Sequence, residues 1–143
     1  MIMLVNILPN KHILESNFKR CNNWEERYLY IIELGKIIPI LSQKYHSLKN
    51  LIHGCQSQVW ITLKIDSNNH VLFKGYSDSS IVQGLLAIIF IFYKNKNSNK
   101  IIQSNIQSYF KKLSLDKYLS LSRLQGIEII INTIKKKIIQ LNK

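Results

Sequence analysis

Val59-Trp60-Ile61-Thr62-Leu63-Lys64-Ile65-Asp66 is the stretch on which the fold turns. Successive side chains of an extended chain point to opposite faces, so Val59, Ile61, Leu63 and Ile65 share one side and form the apolar face of a half-buried strand. Ser67-Asn68-Asn69 follows, three residues suited to a tight turn. Residues 70–76 are then expected to return as the second strand of a hairpin, and residues 48–53 to supply a third.

Helical spacing dominates on both sides of this hairpin. Upstream, Pro9-Asn10 precedes His12, Ile13, Leu14 and Phe18, which predicts a short helix capped by Asn10 and ended before Asn22. Asn23-Trp24-Glu25-Glu26 places a capping residue three positions before a Glu, and it opens a stripe of Trp24, Tyr28, Ile31, Gly35 and Ile38 that Pro39 closes. Residues 42–50 are polar and read as a loop.

Downstream, Ser77 or Asp78 is placed to cap a helix over residues 79–93, apolar almost all round and therefore enclosed on most sides. Residues 94–100 read as a polar loop, and residues 105–115 as one or two short helical turns carrying Ile106, Tyr109, Phe110 and Leu113. Ser120 or Ser122 then starts a last helix with Ile127, Ile130, Ile131, Ile134, Ile138 and Leu141 on one face. The sum is an α+β fold, a small antiparallel three-stranded sheet packed against helices. At 143 residues a single domain over residues 1–143 is expected, with no linker and no internal repeat.

Composition narrows the function. The longest apolar run, residues 81–93, is broken by Gln83 and falls short of the about 20 residues a membrane-spanning helix needs. Residues 1–8 are apolar but carry no basic leader and no small-residue cleavage site, so a cytoplasmic protein without a membrane partner is expected. Cys21 and Cys55 lie far apart and form no CxxC, which argues against a disulfide framework or a zinc ribbon. The net charge of +12 invites a nucleic-acid reading. Enrichment in Lys is matched, however, by Ile and Asn, whose codons are also rich in A and T, and apart from Lys135-Lys136-Lys137 the lysines are scattered. No nucleic-acid partner is expected on that ground. A basic module for nucleic acid or an acidic protein is the alternative from a different functional class.

Chemistry concentrates in His53-Gly54-Cys55-Gln56-Ser57-Gln58. A cysteine follows a glycine directly before a strand. Glycine permits a tight or left-handed backbone there, and the Gln and Ser side chains supply hydrogen bonds for a thiolate or perthiolate. Three other readings stand beside this one. Cys55 could be an inert, buried small hydrophobe. With His53, two residues away, it could be part of a Cys-His-Asp hydrolase, but no third member and no nucleophile elbow is legible. His53, Cys55 and Asp78 could converge on a metal, although cluster sites are built from several thiolates and only one cysteine lies here.

Several stretches, in order, resemble the SufE family. Residues 23–35, Asn-Trp-Glu-Glu-Arg-Tyr-Leu-Tyr-Ile-Ile-Glu-Leu-Gly, are similar to its first long helix. Gly54-Cys55-Gln56-Ser57-Gln58-Val59-Trp60 matches its sulfur-acceptor motif without a change. Gly75-Tyr76-Ser77-Asp78, Ile81-Val82-Gln83-Gly84-Leu85 and Ser122-Arg123-Leu124-Gln125-Gly126 also resemble it. The likeness runs from about residue 8 to the C-terminus without a long insertion.

The resemblance implies a SufE/IscU-like two-layer fold and a sulfur carrier that is not itself an enzyme. Cys55 would take sulfane sulfur from the persulfide of a SufS-type cysteine desulfurase, stimulate cysteine desulfuration, and hand the sulfur to SufB of a SufBCD scaffold for iron–sulfur cluster assembly. The pyridoxal phosphate would belong to the desulfurase, leaving this chain without cofactor or metal, and a homodimer remains compatible. Gly54, Gln56 and Ser57 would support the acceptor. Asp78 would hold the loop in its resting position, with a helix N-cap as the plainer account. Arg123 would pair with a partner or support a perthiolate, with a solvated surface arginine as the plainer account. Trp24 and Trp60 are assigned to packing. Two departures from the family pattern bear on docking: residues 42–49 are basic where relatives are often acidic, and His53 replaces a more usual Gln.

Overall fold

A computed structural model of the chain describes residues 7–142. Most of the apolar N-terminal stretch read as leaderless lies outside the described residues. The elements run α1 (Lys11–Arg20), α2 (Trp24–Gly35), a 3-10 turn (Gln43–Tyr45), β1 (Val59–Ile65), β2 (Val71–Ser77), α3 (Ser80–Tyr93), α4 (Ser98–Gln103), α5 (Ile106–Lys112), α6 (Leu115–Tyr118) and α7 (Leu121–Leu141).

Local chemistry explains most of these boundaries. The Asn10 side chain accepts from the Ile13 N–H, and Asn23 accepts from the Glu26 N–H, both at 2.9 Å. Glu26 returns the favour by accepting from the Asn22 N–H at 2.9 Å, so the start of α2 is clamped from both sides. α2 ends at Gly35, before the expected stripe is complete, because Pro39 forces Ile38 towards extended backbone. Ile38 nonetheless reaches the core from outside the helix.

β1 and β2 pair antiparallel from Val59↔Ser77 to Ile65↔Val71. The turn between them is organised by Asp66, whose carboxylate accepts from the Asn68 and His70 N–H groups, each at 2.9 Å, while Asn69 takes a left-handed φ of 63°. The sheet has two strands, not the three expected. Residues 48–53 approach β1 through a single bridge, Leu51↔Trp60, in which Ile52 N–H donates to Val59 O and Ile61 N–H to Asn50 O. Pairing stops there for a local reason. The N–H groups of Asn50 and Leu51 both turn back to Ser47 O, and Gly54 at φ 98° swings the chain away on the other side.

α3 is enclosed as its sequence requires, with Leu86, Ala87, Ile88 and Ile89 fully buried. It crosses α2 with the two backbones in contact: a Cβ on Gly84 would lie 2.1 Å from the Ile31 carbonyl oxygen, and one on Gly35 2.7 Å from the Gly84 nitrogen. The N-cap of α3 is Ser79, neither Ser77 nor Asp78, because both of those side chains are engaged elsewhere. α4 replaces the end of the expected 94–100 loop, started by Asn97 accepting from the Lys100 N–H at 2.9 Å. α7 begins from Ser120 and buries Ile127, Ile130, Ile131, Ile134 and Ile138, leaving Leu141 exposed in the last turn. One cluster of buried side chains joins α1, α2, the hairpin and α3 to α7.

Candidate functional site

The loop that carries Cys55 is set by two constraints at its ends. At its start Gly54 adopts φ 98°, a region that a side chain strains, and faces α7, where a Cβ would make ordinary contact with Ile129 Cδ1 at 3.4 Å. At its end Gln58 N–H donates to the Asp78 carboxylate at 3.0 Å, and Asp78 N–H donates to the Gln58 carbonyl at 3.3 Å. Between them Cys55 lies half-buried against the core, its Sγ 3.7 Å from the Gly126 carbonyl, a weak S–H···O contact. Burial raises the Cys55 thiol above its ordinary pKa.

The thiol faces a cavity of about 120 Å³. Cys55, Gln56 and Ser57 line it from the loop, and Ser120, Ser122, Arg123 and Gly126 from the start of α7. Val59, Val82, Ile127 and Ile130 complete the lining. Four of the residues singled out in the sequence, Cys55, Gln56, Ser57 and Arg123, therefore meet at one cavity. Gly54 sets the turn beside it and Asp78 anchors the loop without lining the cavity. His53 is exposed with no hydrogen bond to Cys55, and among the described residues no three His, Cys, Asp or Glu side chains gather as a metal site would need. Cys21 lies elsewhere, buried in the core with its thiol 3.4 Å from Asn17 O.

Sequence reasoning missed the contribution of Ser120, Ser122 and the Gly126 carbonyl. Ser120 was legible only as a cap, which it is, accepting from the Arg123 N–H at 3.2 Å. Nothing in local spacing sets a residue opposite Cys55 across 71 positions. It missed His46 too. That ring stacks on Trp60 at 4.7 Å and on Tyr76 at 4.9 Å, with Nε2 3.2 Å from Leu41 O, and so pins residues 42–50 onto the outer face of the hairpin. Trp60 packs as expected, and Trp24 stacks on Tyr118 at 4.8 Å.

A family model for the SufE, Fe–S metabolism associated, domain matches residues 12–138. The chain belongs to the SufE family. The match begins in α1 and ends in α7, so it takes in the Cys55 loop, the hairpin and the helix that closes the cavity. SufE membership places the protein in Fe–S metabolism. No helix among the described residues is long and apolar enough to cross a membrane.

Proposed function

We propose that this protein is a sulfur acceptor and carrier in which Cys55 holds a transient persulfide. The single observation that carries the reading is the placement of Cys55: a thiol on a loop anchored at both ends, half-buried and turned towards a cavity large enough for an added sulfur atom. The Cys55 thiolate attacks the outer sulfur of a cysteine persulfide on a SufS-type desulfurase. A sulfur–sulfur bond forms at Cys55, the one on the partner breaks, and the partner's thiolate leaves with the electron pair. The cofactor of the desulfuration belongs to that partner, and the acceptor acts by clearing its persulfide, not as an enzyme in its own right. SufB of a SufBCD scaffold is the recipient, in the cytoplasm.

The resting geometry supports such a relay. A thiol held protonated by burial reacts slowly in the free protein, and an outer sulfur inside the cavity is shielded from reductant and oxidant. Swinging about Gly54 would deliver the same atom to a partner.

Incubation with a SufS-type desulfurase and L-cysteine, followed by intact mass and peptide mapping, tests the reading. A gain of one sulfur atom on Cys55, reversed by reductant, is expected. Cys55→Ser should abolish stimulation of alanine release, with Cys21→Ser nearly normal. Full stimulation by Cys55→Ser would sink the relay.

A further inference from the structure

Of the five glycines, four are required by the backbone around them. Gly54 holds φ 98°, and Gly35 and Gly84 let α2 and α3 cross in contact. A Cβ on Gly75 would lie 3.0 Å from Phe90 Cζ and 3.3 Å from the Trp60 carbonyl oxygen. Gly126 has no such reason. It sits inside α7 with a negative φ, and a Cβ there would meet no atom within 4 Å. Alanine would fit the position and favour the helix, since glycine gives up more backbone freedom on folding.

What surrounds the position is the Cys55 cavity. Gly126 lines it, and so do the neighbours on its own side of the helix, Ser122 and Arg123 one turn before and Ile130 one turn after. A side chain at 126 would therefore project among them into the same space. Helical Cβ atoms lean towards the N-terminus and carbonyls point the other way, so that side chain would fall on the Ser122 and Arg123 side. The Gly126 carbonyl, 3.7 Å from Cys55 Sγ, lies on the opposite side and accepts the S–H. An anionic outer sulfur on Cys55 has no proton to give that carbonyl and is repelled by its oxygen. It turns instead towards the cleared side, which Arg123 lines.

We propose that Gly126 is a positioning residue for the persulfide: the side chain it lacks would fill the part of the cavity in which the outer sulfur of Cys55 rests. The inference rests on the Cys55 persulfide of the proposed relay. It accounts for a helix-interior glycine that no contact requires, with stability given up to keep room for one atom that arrives only during the reaction.

The test uses the full chain in a Cys21→Ser background, where Cys55 is the only thiol. Inorganic polysulfide loads it without a desulfurase: the Cys55 thiolate attacks a polysulfide sulfur, and the shortened polysulfide leaves with the electron pair. Cyanide then removes the outer sulfur as thiocyanate, returning the electron pair of the sulfur–sulfur bond to Cys55. Cyanolysis should be accelerated a few-fold by Gly126→Ala and roughly tenfold by Gly126→Val, because the outer sulfur then spends more of its time outside the cavity. Alkylation of the unloaded thiol by iodoacetamide should change little in Gly126→Ala, whose added methyl meets no atom of the resting structure. Equal cyanolysis in all three proteins overturns the proposal. So does alkylation that rises in step with cyanolysis, since the variants would then merely loosen the loop. The desulfurase relay is judged separately: a Cys55 that loads from polysulfide but never from a desulfurase would sink the relay and leave the protection by the cavity standing.

Discussion

Asp78 and Gln58 hold each other by two backbone-anchored hydrogen bonds, 3.0 Å from Gln58 N–H to the Asp78 carboxylate and 3.3 Å from Asp78 N–H to the Gln58 carbonyl. This clasp extends the β1–β2 pairing one step beyond Val59↔Ser77 and fixes the point where the Cys55 loop leaves the sheet. Both residues are exposed, so water can replace the carboxylate and its loss costs about 1 kcal/mol or less. The loop should feel it more than the fold does. Asp78→Ala is expected to raise the rate of Cys55 alkylation by iodoacetamide a few-fold, and Asp78→Asn, which keeps an acceptor oxygen, to change it little. Identical rates in all three proteins would show that the clasp does not restrain the loop.

The thiol itself reports burial. Because the folded environment raises the Cys55 pKa, its contribution to stability is complete at pH values where the unfolded thiol is still protonated, and it is lost as pH rises from the unfolded value through the folded one. In a Cys21→Ser background, the pH midpoint for alkylation of Cys55 should lie higher in the native protein than in urea. Coincident midpoints would mean that the loop leaves the sulfur fully solvated.

Two glycines make opposite predictions. Gly84→Ala drives a methyl against the Ile31 carbonyl, a backbone atom that cannot rotate away, so α2 and α3 must separate. A loss of about 3 kcal/mol or more is expected, lowering Tm by roughly 10 °C. Gly126→Ala meets no atom within 4 Å and removes a flexible residue from the interior of α7. It should gain up to about 1 kcal/mol, with a rise of a few degrees. Thermal melts of the two variants side by side decide the matter, and a neutral Gly84→Ala would contradict the backbone contact between the helices.

Acid stability should carry the mark of Glu15. Its hydrogen bond to the Lys112 ammonium at 2.7 Å is the chief cause that holds its carboxyl below the ordinary value of 4.5, against an opposing push from burial. A depressed folded pKa stabilises above the unfolded value and loses that stabilisation as pH falls through the folded value. Glu15→Gln should therefore lower Tm at neutral pH and converge with the unaltered protein as pH drops below the carboxylate range. Parallel Tm curves across that window would remove Glu15 from the account.

The elements legible in the sequence are those decided within a few residues. Asn10 and Asn23 cap their helices because the N–H they satisfy is three positions away. Asp66 closes the hairpin turn with bonds to Asn68 and His70, and the isoleucines of α7 meet on one face because the helix repeat alone aligns them. The left-handed turn at Gly54, directly before Cys55 and the strand, was legible for the same reason, since a glycine's permissive backbone is a local fact. Where two local claims competed, the sequence left the outcome open. Asp78 could cap α3 or bond elsewhere, and the approach of Gln58, 20 residues earlier, took its carboxylate and left the cap to Ser79.

What the sequence by itself determined about this protein is its hairpin and the apolar faces of its longer helices, α1, α2, α3 and α7. Only the tertiary structure decided that residues 48–53 touch β1 at one bridge without becoming a strand, that α2 and α3 meet backbone to backbone at Gly35 and Gly84, and that the start of α7 closes over Cys55. The physical reason is the range of the forces involved. Capping and turn hydrogen bonds act between neighbours along the chain. Burial and steric exclusion depend on which distant surface arrives to displace water, and for Cys55 that surface is Gly126, 71 residues on.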